Sequence, residues 1–321
     1  MLCARAAVAL APAVGSAVWM TGPKYPVVIV NPRSGGGKAE RLRLVAESRA
    51  RGIEPVVLEP GDDLLGVAHA VVADGADAIG VAGGDGSQAL VGAVACERDI
   101  AFVCIPAGTR NHFAFDIGVD RADVVGALDA FAYGTERRID LGRVNGRAFV
   151  NNASLGVYAT IVQSAEYRDA KVETIARMLP ELLPPRGAPS GLAFGAPDGS
   201  RVEAPQLVLV SNDAYRMPRP GQQGARGGVD EGLLGVIAVR VADPRTVMSL
   251  IAAETGAVAP APGWLAFKAA AFTVEAAAPV NAALDGEACV LDPPLRFESL
   301  PGALRVLVLP KRAPRLGPRL R

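Results

Sequence analysis

Residues 79–97, IGVAGGDGSQALVGAVACE, constrain the fold of this chain more than any other stretch. A short apolar run at 79–82 halts at Gly83-Gly84-Asp85-Gly86, and an apolar-periodic segment starts at Ser87. The order is strand, glycine turn, helix. Glycine lets the backbone reach positive φ and lie close to a bulky ligand. The new helix aims free N–H groups and the positive end of its dipole into the turn, which suits an anion. Asp85 is unusual there, because its charge repels bare phosphate. It fits beside one when a divalent cation bridges the two or when the acid takes a proton. The loop therefore points to nucleotide chemistry.

The same alternation runs through the first half of the chain. Apolar runs at 27–30, 55–58, 79–82 and 101–105 read as strands. Helical spacing follows at 39–51, with Leu42, Val45 and Ala46 as the expected buried stripe, and again at 64–73, 87–96 and 124–133. Strands separated by helices of this length predict a doubly wound parallel sheet covered on both faces. Ligands of such sheets bind at the carboxyl ends of the strands. Three glycine-containing turns follow strands here, so all three can meet at one edge.

Beyond residue 138 the pattern changes. Segments at 138–144, 148–151, 206–211, 234–241, 272–276 and 288–291 read as strands joined by turns, and 304–309 as a last apolar strand. Helical stretches stand out at 167–183, whose apolar stripe packs on its own domain or lies at a membrane interface, and at 244–253. The expectation is a β-rich, sandwich-like second domain. With 321 residues, half of them hydrophobic and 21% charged, the chain can bury two cores.

The formal charge is zero, so no global field favours nucleic acid. The four cysteines form no CxxC pair and no metal-ligand spacing, and two histidines exclude a multi-histidine metal site. The apolar stretch at 6–20 is too short to span a bilayer. It is compatible with a signal-peptide h-region, an overlong start or a remnant of a fused segment. No later segment supplies the run of about 18 apolar residues that a spanning helix needs. Residues 311–321 carry five basic side chains and no acid, which suits anionic lipid or a solvated end.

The first turn, Asn31-Pro32-Arg33-Ser34-Gly35-Gly36-Gly37-Lys38, lacks the spacing of a Walker A loop. The third, Pro106-Ala107-Gly108-Thr109-Arg110-Asn111, delivers a Gly-Thr pair after a strand; its hydroxyl can meet a phosphate oxygen. Together NPxSG, GGDG[ST] and PxGTxN, in this order, resemble the diacylglycerol kinase catalytic domain family. The resemblance continues through Val150-Asn151-Asn152-Ala153-Ser154-Leu155-Gly156, Val229-Asp230-Glu231-Gly232-Leu233 and Leu284-Asp285-Gly286-Glu287, and covers about residues 25–310. The GGDG loop is also similar to that of NAD kinases and phosphofructokinases. The later Asp-Gly-Glu motif and the β-rich second half favour the lipid kinase branch.

The resemblance implies a domain plan and a set of roles. Residues 25–138 would form an ATP-binding α/β domain after an extension at 1–24. Residues 139–300 would form the second domain, and 301–321 a returning strand and basic tail. Asn31, Pro32, Ser34, Gly35, Gly83, Gly84, Asp85, Gly86, Ser87, Gly108, Thr109 and Asn111 would hold ATP, with Asp85 acting through the magnesium that accompanies it. Asp285 or Glu287 would take the proton of a lipid hydroxyl, with Glu287 favoured, although some relatives assign the base to the loop of Asp85. Asp230, Glu231, Gly228 and Leu233 would hold a second magnesium, although Glu231 stands where aspartate is usual. His112 stands where many members have aspartate, which puts that position's role in doubt. Diacylglycerol is the default acceptor, with peripheral membrane contact, a cytoplasmic location and a possible homodimer. The alternatives are a nucleotide-binding regulator and a kinase for a soluble acceptor such as NAD.

Overall fold

The computed structural model describes residues 22–162, 190–212, 230–240 and 264–310. The helices expected at 167–183 and 244–253, the position of Gly228, most of the 1–24 extension and the tail at 311–321 lie outside the described residues.

Strands β1 (Pro26–Val30), β2 (Glu54–Val57), β3 (Ala78–Gly83) and β4 (Ala101–Pro106) pair in parallel in the order β2-β1-β3-β4. Alternate residues of each strand face opposite ways, and each set finds a separate core. Ile29, Ile79, Val81 and Phe102 pack with Ala68 of α3 (Leu64–Ala73) and with Val91 and Val94 of α4 (Asp85–Glu97). Val28, Val30, Val103 and Ile105 pack on the other face with Leu44 of α2 (Leu44–Ala50) and with Leu128 and Phe131. The sheet is thus covered on both faces, as the pattern predicts.

Three local differences have physical causes. The helix expected at 39–51 is broken into α1 (Lys38–Arg41) and α2, because Arg43 takes a left-handed conformation at φ 53°. The break rotates the second piece. Ala39, Leu44 and Ser48 become the buried stripe, and Leu42 and Ala46 face solvent. The helix expected at 124–133 is a 3₁₀ turn at Gly126–Asp129 running into α6 (Ala130–Tyr133). A five-residue helix after the third turn, α5 (His112–Asp116), had no apolar period long enough to announce it.

The last strand is far longer than the apolar run at 304–309. β16 spans Leu295–Val308 and lies antiparallel to β5 (Thr135–Val144). Pro301 and Gly302 mask its continuity, and the register shifts between Leu300 and Leu304. One end of β16 is parallel to β4 at Val306–Phe102, so it extends the α/β sheet. The other end pairs with β13 (Ala271–Val274). β5 and β16 therefore run through residues 138 and 300, where the domain boundaries were expected.

A second sheet is antiparallel, in the order β12 (Trp264–Ala269), β11 (Leu234–Val239), β10 (Leu207–Asn212), β7 (Asn152–Gly156), β14 (Val280–Leu284), β15 (Glu287–Leu291). Its inner face supplies Leu155, Val208, Val236 and Ala282 to a core shared with Val144, Leu295 and Phe297 of the long strands, and with Phe149 of β6 (Arg147–Phe149). Phe272 stacks on Phe297 at 5.1 Å between centroids. This is the sandwich-like second domain, and the far ends of β5 and β16 form part of its facing layer. β7, β8 (Ala193–Gly195), β9 (Arg201–Glu203), β12 and β14 were not foreseen, because their polar and small residues weaken the alternation.

Candidate active site

The three turns meet at the carboxyl ends of β1, β3 and β4, and they meet through backbone. The N–H of Gly108 donates to Gly83 O at 2.9 Å, and Lys38 Nζ donates to Gly108 O at 3.0 Å. A methyl on Gly108 would stand 2.4 Å from Gly84 Cα, and one on Gly35 would stand 2.3 Å from Ala107 O. Gly35 also holds φ +57°, a conformation side chains rarely adopt. Glycine is required at these contacts because the turns leave no room between them. A methyl on Gly83 would stand 2.6 Å from Ser87 Cβ.

The remaining turn residues shape the loops. Asn31 Oδ1 accepts the Arg33 N–H at 3.1 Å, closing an Asx turn around Pro32, and the Asn31 carbonyl accepts the Ser34 N–H at 3.2 Å. Asn111 is 5% exposed and donates its amide to Pro106 O and Gly108 O, at 3.1 and 3.0 Å. It holds the third turn from beneath, while Thr109 is exposed at the tip. Gln88, on the buried face of α4, donates to Val81 O, Gly83 O and Ile105 O and so ties the ends of β3 and β4 together.

Asp85 is the first residue of α4, and its carboxylate reaches a second helix. Its oxygens accept the N–H groups of His112 and Phe113 at 3.1 and 2.9 Å, the first two residues of α5. Asp85 thus caps α5 across 27 residues of chain. A carboxylate has about four lone-pair sites, so this capping leaves room for a magnesium-bound nucleotide. His112 is exposed, and its backbone, through Asp85, is what joins it to the second turn.

Asp285-Gly286 is a two-residue hairpin turn between β14 and β15, with φ 49° and 88° at its two residues. The two acids that flank Gly286 face different partners. Asp285 accepts three backbone N–H groups, from Val150 at 2.9 Å, Asn151 at 2.6 Å and Asn152 at 3.0 Å. Its own N–H donates to Asn152 O at 2.8 Å. It pins the hairpin to the 150–152 turn. Glu287 reaches across to the second glycine turn. A methyl on Gly86 would lie 3.2 Å from Glu287 Cγ and 3.4 Å from its Oε1. The Asp-Gly-Glu hairpin and the Gly-Gly-Asp-Gly turn thus stand against each other.

The turn at 230–233 lies elsewhere, at the entry to β11. Glu231 is ion-paired with Lys268 of β12. Gly232 N–H donates to Asp140 Oδ2 at 2.5 Å, and Gly302 N–H donates to Asp140 Oδ1 at 2.7 Å. Asp230 is exposed and Leu233 half-buried. A hard dication wants six or so oxygen ligands, and among the described residues no three acids, histidines or cysteines gather to supply them. With an ammonium already on its carboxylate, the described part of this turn does not fit a second magnesium, and Gly228, which the resemblance also names, lies outside the described residues.

Burial pushes the Cys104 thiol well above its ordinary value, and the charge of Asp85 adds to the push. Cys96 and Cys289 are raised too, chiefly by desolvation. These are packing residues. The residues that sequence reasoning passed over are supports: Lys38, Gln88, Asp140 and the amides of 150–152. Asp140, 2% exposed, was visible as an acid between Ile139 and Leu141, and Gln88 as a lone amide on an apolar helix face.

Comparisons with known proteins identify the family. The family model for the diacylglycerol kinase catalytic domain matches residues 26–144. A diacylglycerol kinase of Mycobacterium tuberculosis is 36% identical over 120 residues, which span 36% of this chain and 39% of that protein. A Pseudomonas aeruginosa protein named "Probable lipid kinase YegS-like" is 31% identical over 310 residues, covering 88% of this chain and 94% of its own length. A crystal structure of a diacylglycerol kinase from Bacillus anthracis superposes with a TM-score of 0.64 at 19% identity, over 90% of this chain and 98% of that one. That likeness is one of fold. Among the described residues no helix is long and apolar enough to cross a membrane. With the three turns, the Asp-Gly-Glu hairpin and a relative aligned over 88% of this chain, the chain belongs to the diacylglycerol kinase catalytic domain family.

Proposed function

We propose that the chain is a lipid kinase that transfers the γ-phosphoryl group of MgATP to a lipid hydroxyl, with diacylglycerol the default acceptor and phosphatidic acid the product. The observation that carries the reading is the approach of Glu287 to Gly86, which sets a carboxylate against a glycine turn at a helix N-terminus. A hydroxyl is a poor nucleophile until a base accepts its proton. In this reading Glu287 takes that proton as the lipid oxygen bonds to the γ-phosphorus and the bond to the β–γ bridging oxygen breaks, releasing ADP. Magnesium, arriving with the nucleotide, neutralises phosphate charge. The amides of 83–87 and the N-terminus of α4 orient the phosphates, with Asn31, Ser34, Gly35 and Thr109 on the flanking turns. Asp285 positions Glu287, and Asp85 positions α5 beside the phosphates. The lipid would be taken from a membrane surface by peripheral contact on the cytoplasmic side.

The test is transfer of label from γ-labelled ATP to vesicles containing diacylglycerol, to a total lipid extract and to NAD. Labelled lipid is expected, and Glu287→Gln should lower its rate at least about 100-fold. Label in NAD alone moves the acceptor to a soluble dinucleotide. ATP binding with no turnover on any acceptor favours a nucleotide-binding regulator, a reading that His112 motivates by standing where the family commonly has an acid.

A further inference from the structure

The turn where a second magnesium was expected carries its own cation. Lys268 pairs in register with Gly235 of β11, so its strand runs beside the chain that enters β11 from the turn. Its ammonium bonds Glu231 Oε2. Asp140 holds the same turn from within, its two oxygens engaged by the N–H groups of Gly232 and Gly302. A structural dication at such a turn would do two things: neutralise the carboxylate and tie the turn to the sheet. Lys268 does the first and joins β12 to the turn, and Asp140 joins β5 and β16 to it. We propose that Lys268 is a built-in replacement for a divalent ion, so that the second domain is assembled without metal and magnesium enters only with the nucleotide. A dication seated on Glu231 would lie within a few ångströms of the ammonium and be repelled by it.

The experiment uses the full chain without nucleotide. Mn2+ is titrated and followed by the electron paramagnetic resonance of the free ion, and thermal unfolding is recorded in EDTA and in MgCl2. The wild type is expected to unfold at the same temperature in both, and its Mn2+ stoichiometry should not change in Glu231→Gln. A Mn2+ site present in the wild type and lost in Glu231→Gln overturns the proposal. Lys268→Gln should bind Mn2+ at least about tenfold more tightly than the wild type, because the repulsion is gone. Lys268→Gln/Glu231→Gln should lose that gain. A folded Lys268→Gln without the gain also overturns the proposal. If that variant does not fold, the wild-type comparison decides alone.

Discussion

Two acids one residue apart serve one site in different ways. Asp285 accepts three backbone amides and Glu287 faces Gly86. Replacing a charged acceptor that several buried amides share leaves donors unsatisfied, at a cost of about 2–3 kcal/mol. Asp285→Asn should therefore lower the unfolding temperature and turnover together. Glu287→Gln should remove turnover while the unfolding temperature and ATP affinity stay near wild type. Calorimetry and a kinase assay on the two variants check this, and equal stability loss in both would refute the division of labour. The sequence motif singled out both acids but did not separate them, because Asp-Gly-Glu reads as one hairpin turn. What separates them is the 150–152 turn, which comes from a part of the chain more than a hundred residues away. Asp85 had the same fate. It was legible as an acid in a phosphate turn, and its capping of α5 was not, since α5 is one turn of helix with no apolar period.

At the scale of elements, the convergence of the three turns was legible and the manner of their contact was not. Strand and helix order put all three at one sheet edge, as parallel topology requires. That they interlock backbone to backbone follows only from the fold. Gly108→Ala makes the point testable. Its new methyl would meet Gly84 Cα at 2.4 Å, closer than side-chain carbons approach, so one turn must move off the other. Overpacking of this kind costs about 1–3 kcal/mol. The expected outcome is a folded protein with a modestly lower unfolding temperature and a large loss of ATP affinity, read by calorimetric titration with MgATP. A variant with wild-type ATP affinity would show that the second and third turns do not act as one cradle. Element ends were less legible where a residue broke local rules: Arg43 in the left-handed region, and Pro301-Gly302 inside the longest strand.

In the whole molecule, the two sides of the candidate site are joined by β5 and β16, which run on from the α/β part of their sheet to face the second sheet. Composition and periodicity announced two domains but not this junction, because strands that run on within one sheet from one core to the other show no change of alternation to mark it. Ion pairs clip the two strands together. Arg305 of β16 holds Glu136 of β5 through Nη2–Oε2 at 2.8 Å and Nε–Oε1 at 3.1 Å, and Arg143 of β5 holds Glu298 of β16 at 2.8 Å. The hydrogen bond from Arg305 keeps the Glu136 carboxyl below the ordinary glutamate range, and that from Arg143 does the same for Glu298. A carboxylate depressed in the folded state adds stability that is present above its unfolded value, about 4.3, and is lost as pH falls through the folded value. Glu298 and Arg143 are the more exposed pair, and solvent screening leaves their contribution small. Glu136→Gln should therefore unfold a few degrees below the wild type at pH 7, a deficit of about 1 kcal/mol. As pH falls below the ordinary glutamate value the wild type should lose this advantage, and the two unfolding temperatures should meet. Thermal unfolding of both proteins from pH 7 down to about pH 2 checks it. A deficit that persists unchanged at the acid end would show that Glu136 holds β5 to β16 by packing and not by its charge.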